Sequence, residues 1–315
     1  MKVMRGQPRG RHAARNSAVL AGGAFFVLTA QAMTFRSAAV ALVCVLAVAP
    51  AVALDLRRER YSSYDLALTG RLAGIPEGET RYARWSDLRA LPTSQVELEG
   101  EFVPGPQVLT VVFLSDLWKA LPVAQGADTL LATCADGYAS VFTSGFIAKC
   151  RPFLVLEING KGPKEWPPPG LNYNPGPYVI TVSAGLVPAA ARFPDVEHKK
   201  PWGVTTLEVA TYAERYKAIY SGKWAALSGS AQKGRETWVN SCASCHAGPL
   251  GIFGGTKADR PFQVIAAYAG HDRPYFVRYV RDPKSLVPCA KMEPHPHYSD
   301  EELSRLIAFI TAEQQ

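Results

Sequence analysis

Hydrophobic and polar positions change their rhythm part-way along this chain. Between residues 65 and 210, short apolar runs rich in β-branched and aromatic residues alternate with turn residues. Period-two or continuous apolar runs of this length predict strands. They fall at residues 65–70, 107–113, 129–133, 138–142, 153–158, 178–182 and 204–210. Residues 114–121 predict a short helix, with Ser115 or Asp116 near its start. Asn159-Gly160 predicts a turn, and the Pro- and Gly-rich stretch 164–177 an irregular loop. Past residue 228 the rhythm becomes helical. Leu303, Leu306, Ile307 and Ile310 share one face, behind the capping box Ser299-Asp300-Glu301-Glu302. Residues 231–241 predict another helix, with Gly234 and Trp238 on one face and the glycine suited to a close helix crossing. A third is expected at 275–281, ended by Pro283.

The first 53 residues have another character. They contain Lys2, Arg5, Arg9, Arg11, Arg15 and Arg36 and no acidic residue. An apolar run over 38–52 closes in Ala51-Val52-Ala53, the pattern of a secretory signal. Met33 makes a natural start for such a signal. An uncleaved anchor is the rival, but residues 38–53 fall short of the ~20 apolar residues of a membrane span. Either way, residue 54 onward is expected outside the cytoplasm, in the periplasm, with membrane contact only if the signal is retained. The formal charge of +7 is concentrated in this leader, so nucleic acid is not an expected partner. The chain of 315 residues, 48% hydrophobic and 19% charged, has the means for one large or two modest folded domains.

Cysteine and methionine placement brings in the chemistry. Cys44 goes with the leader, leaving Cys134, Cys150, Cys242, Cys245 and Cys289. An odd number in an exported chain means that not all are disulfide partners. Cys242-Ala243-Ser244-Cys245-His246 is the Cys-x-x-Cys-His pattern that attaches a c-type haem. Two thiols add across the vinyl groups, and the adjacent histidine reaches the iron. A thioredoxin-like pair would leave the histidine without a role, and a zinc site lacks further ligands at suitable spacing. Met1, Met4 and Met33 lie in the leader, so Met292 is the only methionine after it. In the polar setting Lys291-Met292-Glu293-Pro294 it is the candidate second axial ligand. His295 and His297 are the competitors, otherwise expected as solvated loop residues.

Residues 228–313 resemble a class I cytochrome c domain. The carriers are Gly234 and Trp238, Cys242-x-x-Cys245-His246, Gly248-Pro249, the segment Tyr279-Val280-Arg281-Asp282-Pro283, Met292, and the capped last helix with Phe309. The resemblance implies an all-α domain over 228–315, behind a linker at 216–227, whose first and last helices cross. It implies one covalent haem, and a backbone oxygen near Pro249 orienting the imidazole. Cys289 departs from the pattern, as a free thiol, a disulfide partner or a rival iron ligand.

Residues 64–212 resemble, more diffusely, the sulfite-oxidase-type molybdopterin oxidoreductases. The carriers include Trp85-Ser86-Asp87-Leu88, Leu114-Ser115-Asp116-Leu117, Ala135-Asp136-Gly137-Tyr138, Leu156-Glu157-Ile158-Asn159-Gly160 and Trp202-Gly203-Val204. The resemblance implies an α+β domain with a mixed sheet over 54–215, and it makes Cys134 the position matching a molybdenum-binding cysteine. No Arg- or His-rich set for the cofactor's phosphate is present, so molybdopterin is not expected. In an oxidising compartment, a disulfide between Cys134 and Cys150 across a 138–148 hairpin, or an unpaired structural cysteine, is expected instead. Asp136 is expected as a solvated turn residue, and Tyr173 and Tyr178 as either core or docking surface. The expected function is one-electron transfer between a donor dehydrogenase and an acceptor cytochrome or oxidase. The alternatives are a molybdenum-dependent dehydrogenase of a sulfite-like substrate with a built-in haem, and a haem-based binding or sensor module.

Overall fold

Alternation of side chains across each strand decides the first part of the fold. In the computed structural model, which describes residues 53–100, 104–183, 196 and 199–314, the strands form two sheets. The export-signal reading for residues 1–53 lies outside the described residues, apart from Ala53. Among them, no helix is long and apolar enough to cross a membrane.

The first sheet joins β1 (Leu66–Gly70), β2 (Arg81–Ala83), β5 (Thr129–Cys134), β6 (Ala139–Thr143) and β9 (Val204–Ala210) in the order β2-β1-β9-β5-β6. It is mixed: β1 and β9 run parallel, and the other pairs are antiparallel. The second sheet is antiparallel, with β3 (Ser94–Glu99), β4 (Pro106–Phe113), β7 (Phe153–Ile158) and β8 (Val179–Thr181) in chain order. One face of each sheet meets the other in a shared core. Leu66, Leu68, Leu130, Phe142 and Leu207 come from the first sheet, and Val112, Leu154 and Ile180 from the second. Leu88 of α1 (Trp85–Arg89), Leu114 and Leu117 of α2 (Leu114–Ala120) and Ile147 of α3 (Ser144–Cys150) complete it. The described part is thus a mixed-sheet fold of strands and helices, as its sequence rhythm predicts. Tyr178 belongs to the core, its hydroxyl donating to the Tyr64 carbonyl at 2.6 Å. Tyr173 lies on the surface, stacked on Trp202.

From Tyr212 on, the described chain is helical: α4 (Tyr212–Arg215), α5 (Gly229–Asn240), α6 (Phe262–His271), α7 (Arg273–Arg281), α8 (Pro283–Leu286) and α9 (Asp300–Ile310). The capping box starts α9, with the Ser299 hydroxyl accepting the Glu302 N–H and the Glu302 carboxylate accepting the Ser299 N–H. At Gly234, α5 crosses α9 so closely that a Cβ would overlap the Arg305 carbonyl. Around this crossing, Phe262 packs edge to face against Trp224, Trp238 and Phe309, and Phe309 lies tilted against Trp224. Val141 of β6 joins this core from the far face of the first sheet, and the described residues belong to one compact unit.

The stretch 216–227, expected as a linker, is two 3₁₀ turns that bury Ile219 and Trp224. Buried Arg235 fastens them to α5. It donates to the carbonyls of Ile219 at 2.9 Å and Trp224 at 3.0 Å, and lies 3.8 Å over the Tyr220 ring. Arg235→Met keeps the aliphatic stem but strands two buried carbonyls. A loss of about 2–4 kcal/mol is expected in urea unfolding followed by tryptophan fluorescence.

Candidate functional site

The end of α5 builds the site. Its last turn passes through Ser241 into a 3₁₀ turn, Cys242–Ser244. The Cys242 carbonyl accepts from the N–H of Cys245 at 3.2 Å and of His246 at 2.9 Å. Cys242, Cys245 and His246 therefore sit on a single tight coil, and both thiols are half-buried.

The following loop folds back over this coil. The Gly255 N–H donates to the Ala243 carbonyl at 2.7 Å, and Ala258 to the Cys245 carbonyl at 3.0 Å. A Cβ on Gly254 would overlap the His246 carbonyl, and one on Gly255 the Ser244 carbonyl. Only glycine lets the loop lie this close.

Burial holds the His246 pKa below its ordinary value, and the nearby Arg260 charge adds to the effect. A hydrogen bond to the Arg260 main chain acts in the opposite direction. The His246 Nδ1 is buried without a hydrogen-bond partner. The ring lies 6.2 Å from that of Trp238.

Met292 is half-buried against the helical core. Cys242 packs against the same core. Of the competitors, Cys289 and His297 are exposed. His295 departs from the expectation of a solvated loop residue. It is 8% exposed, its ring stacks on Tyr298, and its N–H donates to the Val280 carbonyl at 3.0 Å. Among the described residues, no three His, Cys, Asp or Glu side chains gather into a group that would hold a bare metal ion.

Two expectations for the sheet segment need correction. No disulfide joins Cys134 to Cys150. The β5–β6 register pairs Thr133 with Ala139 at the turn end and Thr129 with Thr143 at the other. Cys134 adjoins the turn, whereas Cys150 ends the helix that follows Thr143. Cys134 packs into the shared core of the sheets, and Cys150 into a separate small cluster with Val182. Asp136 is also more than a solvated turn residue: its Oδ2 pairs with the Lys257 ammonium at 2.8 Å. Arg260, Lys257 and Arg235 escaped the sequence reading, because their partners lie elsewhere along the chain.

No protein-family model matches the chain, and no curated protein matches it. Among solved structures, the sulfane dehydrogenase SoxCD from Paracoccus pantotrophus is similar over 50% of this chain, at 17% identity and a TM-score of 0.33. The match covers 42% of that structure's chain, so this protein spans less than half of it. The likeness is too loose to carry an assignment.

Proposed function

We propose that this chain is a periplasmic c-type cytochrome that carries one electron at a time on a single covalent haem. In this reading the helical segment is the all-α cytochrome c unit. The supporting observation is the coil that presents two thiols beside the half-buried His246 imidazole, whose Nδ1 is buried without a hydrogen-bond partner. Cys242 and Cys245 would hold the haem through thioether bonds, and His246 and Met292 would bind its iron. When bound, the haem supplies the Fe(III)/Fe(II) couple. The Met292 thioether would tune that couple by favouring the reduced state. The proposed partners are a donor dehydrogenase and an acceptor cytochrome or oxidase. In the rival molybdenum reading, Cys134 would have to serve an open metal site. That side chain is 4% exposed and packs into the apolar core of the sheets, which favours the electron-carrier reading.

Full-length protein, made in cells that attach haem, should give a band that stains for haem on a denaturing gel. An unstained band overturns the proposal. Met292→Ala should keep the stain, lose the weak near-infrared sulfur-to-iron band of the oxidised protein and shift the midpoint potential to a more negative value. An unchanged spectrum and potential would transfer the ligand role to His295, His297 or Cys289.

A further inference from the structure

We infer that the turn over residues 134–138 is a positioning element for the haem-attachment loop, closing the Cys245 side of that loop to water. This rests on the haem reading above. The turn is braced internally: the Cys134 N–H donates to the Tyr138 carbonyl at 2.8 Å, and the Tyr138 N–H to Asp136 Oδ1 at 3.0 Å. It reaches across to the helical part at three points. The Thr256 N–H donates to the Gly137 carbonyl at 2.8 Å. Asp136 Oδ2 pairs with Lys257 at 2.8 Å, and the same ammonium lies 5.6 Å over the Tyr138 ring. Gly255 is caught between the two parts: a Cβ there would lie 2.8 Å from the Gly137 carbonyl and overlap that of Ser244.

The loop segment 254–258 is thus held between the attachment coil and the turn. Cys134, 4% exposed, lies near enough to feel the charges of Lys257 and Cys245. A half-exposed ion pair contributes little, so the backbone bond and the glycine contacts carry the closure and the ion pair aligns it. Haem potential depends on burial and on hydrogen bonding around the ligands. Lifting the turn would admit water beside Cys245 and favour Fe(III).

The experiment compares Gly137→Ala with Gly126→Ala in the full-length haem protein. Both glycines have nearly the same positive φ, +85° and +84°. A Cβ at Gly137 would lie 3.0 Å from the Lys257 nitrogen and 2.5 Å from the Thr256 hydroxyl, whereas one at Gly126 meets nothing within 4 Å. Backbone strain is therefore matched, and only Gly137→Ala wedges the turn away from the loop. Two quantities are read: the rate at which iodoacetamide alkylates Cys134, and the midpoint potential. Burial pushes the Cys134 thiol up to about 12, with Asp136 adding to the effect, so the closed protein should react slowly. Gly137→Ala should react about tenfold faster through local opening and have a more negative potential, with Gly126→Ala matching the parent. Should Gly137→Ala fail to fold, hydrogen exchange at the Thr256 amide of the parent protein decides, because that N–H makes the backbone bond to the turn. Exchange at least tenfold slower than that of an open amide is expected. Exchange at the open-amide rate would overturn the inference, as would parental alkylation and potential in Gly137→Ala. If the parent protein carries no covalent haem, the haem reading falls, and the alkylation contrast alone shows whether the turn closes the loop.

Discussion

Replacing Cys242 and Cys245 together by alanine should abolish the haem band on a denaturing gel while leaving the two sheets folded. The thiols are the only proposed covalent attachments. With both removed, a haem would be held by His246 and Met292 coordination alone, which denaturation breaks. Each single variant should keep one thioether or lose the haem altogether. The sheets should survive because their shared core draws on residues between Leu54 and Val209 and on neither of these cysteines. Far-ultraviolet circular dichroism checks that part. A stained band in the double variant would mean that another group holds the haem. Cys134 would be the first to map, since it lies near Cys245.

The largest loss of stability is expected at Gly234. Two effects oppose each other when it becomes alanine. Helix propensity favours alanine by about 0.8–1 kcal/mol. Against it, the new Cβ would overlap the Arg305 carbonyl and lie 3.0 Å from the Leu306 nitrogen. Those are main-chain atoms of α9 and cannot swing aside, so the helices must separate and loosen the packing of Trp238 on Phe309. Overpacking of this kind costs about 1–3 kcal/mol or more. Gly234→Ala should therefore be destabilised on balance, and Gly234→Val should lose at least about 3 kcal/mol. Gly229→Ala, at the start of the same helix with nothing within 4 Å of its Cβ, should be neutral or slightly stabilised. Urea unfolding followed by tryptophan fluorescence separates them. Equal stability of Gly234→Val and the parent protein would refute the close crossing.

The elements most legible in the sequence are those whose apolar residues face one way. β4, β7 and β9 appear at or close to their predicted bounds because continuous β-branched and aromatic runs admit few alternatives. The start of α9 is equally plain from Ser299 and Glu302. Helix α6 is hidden by its own composition. Val264 and Tyr268 add exposed apolar side chains opposite the buried Phe262, Ala266 and Ala269, and blur the helical period. Helix α3 is short, contains Gly145, and lies within a stretch expected to form one hairpin. Its local signal was the cap, where the Thr143 hydroxyl accepts the Phe146 N–H at 3.2 Å. Strand β3 has only Val96 and Leu98 to mark its alternation. The Cys-x-x-Cys-His pattern is legible because it lies in five consecutive residues. What holds it is not: Asp136 with Lys257 and Gly137 with Thr256 are contacts between distant segments, and no local period encodes them.

The position of β9 between β1 and β5 bears on how the chain assembles as it is made. A ribosome releases the N-terminal part first. Before residues 204–210 emerge, β1 with β2 and β5 with β6 are separate hairpins, each with an unpaired edge. Ala67 waits for Thr206, a separation of roughly 140 residues that makes closure slow. The turn that will dock on the attachment loop is thus synthesised long before the strand that completes its sheet, and before the loop itself. A premature stop ahead of Val204 leaves two open hairpins, prone to pair with other chains, in place of a smaller working domain.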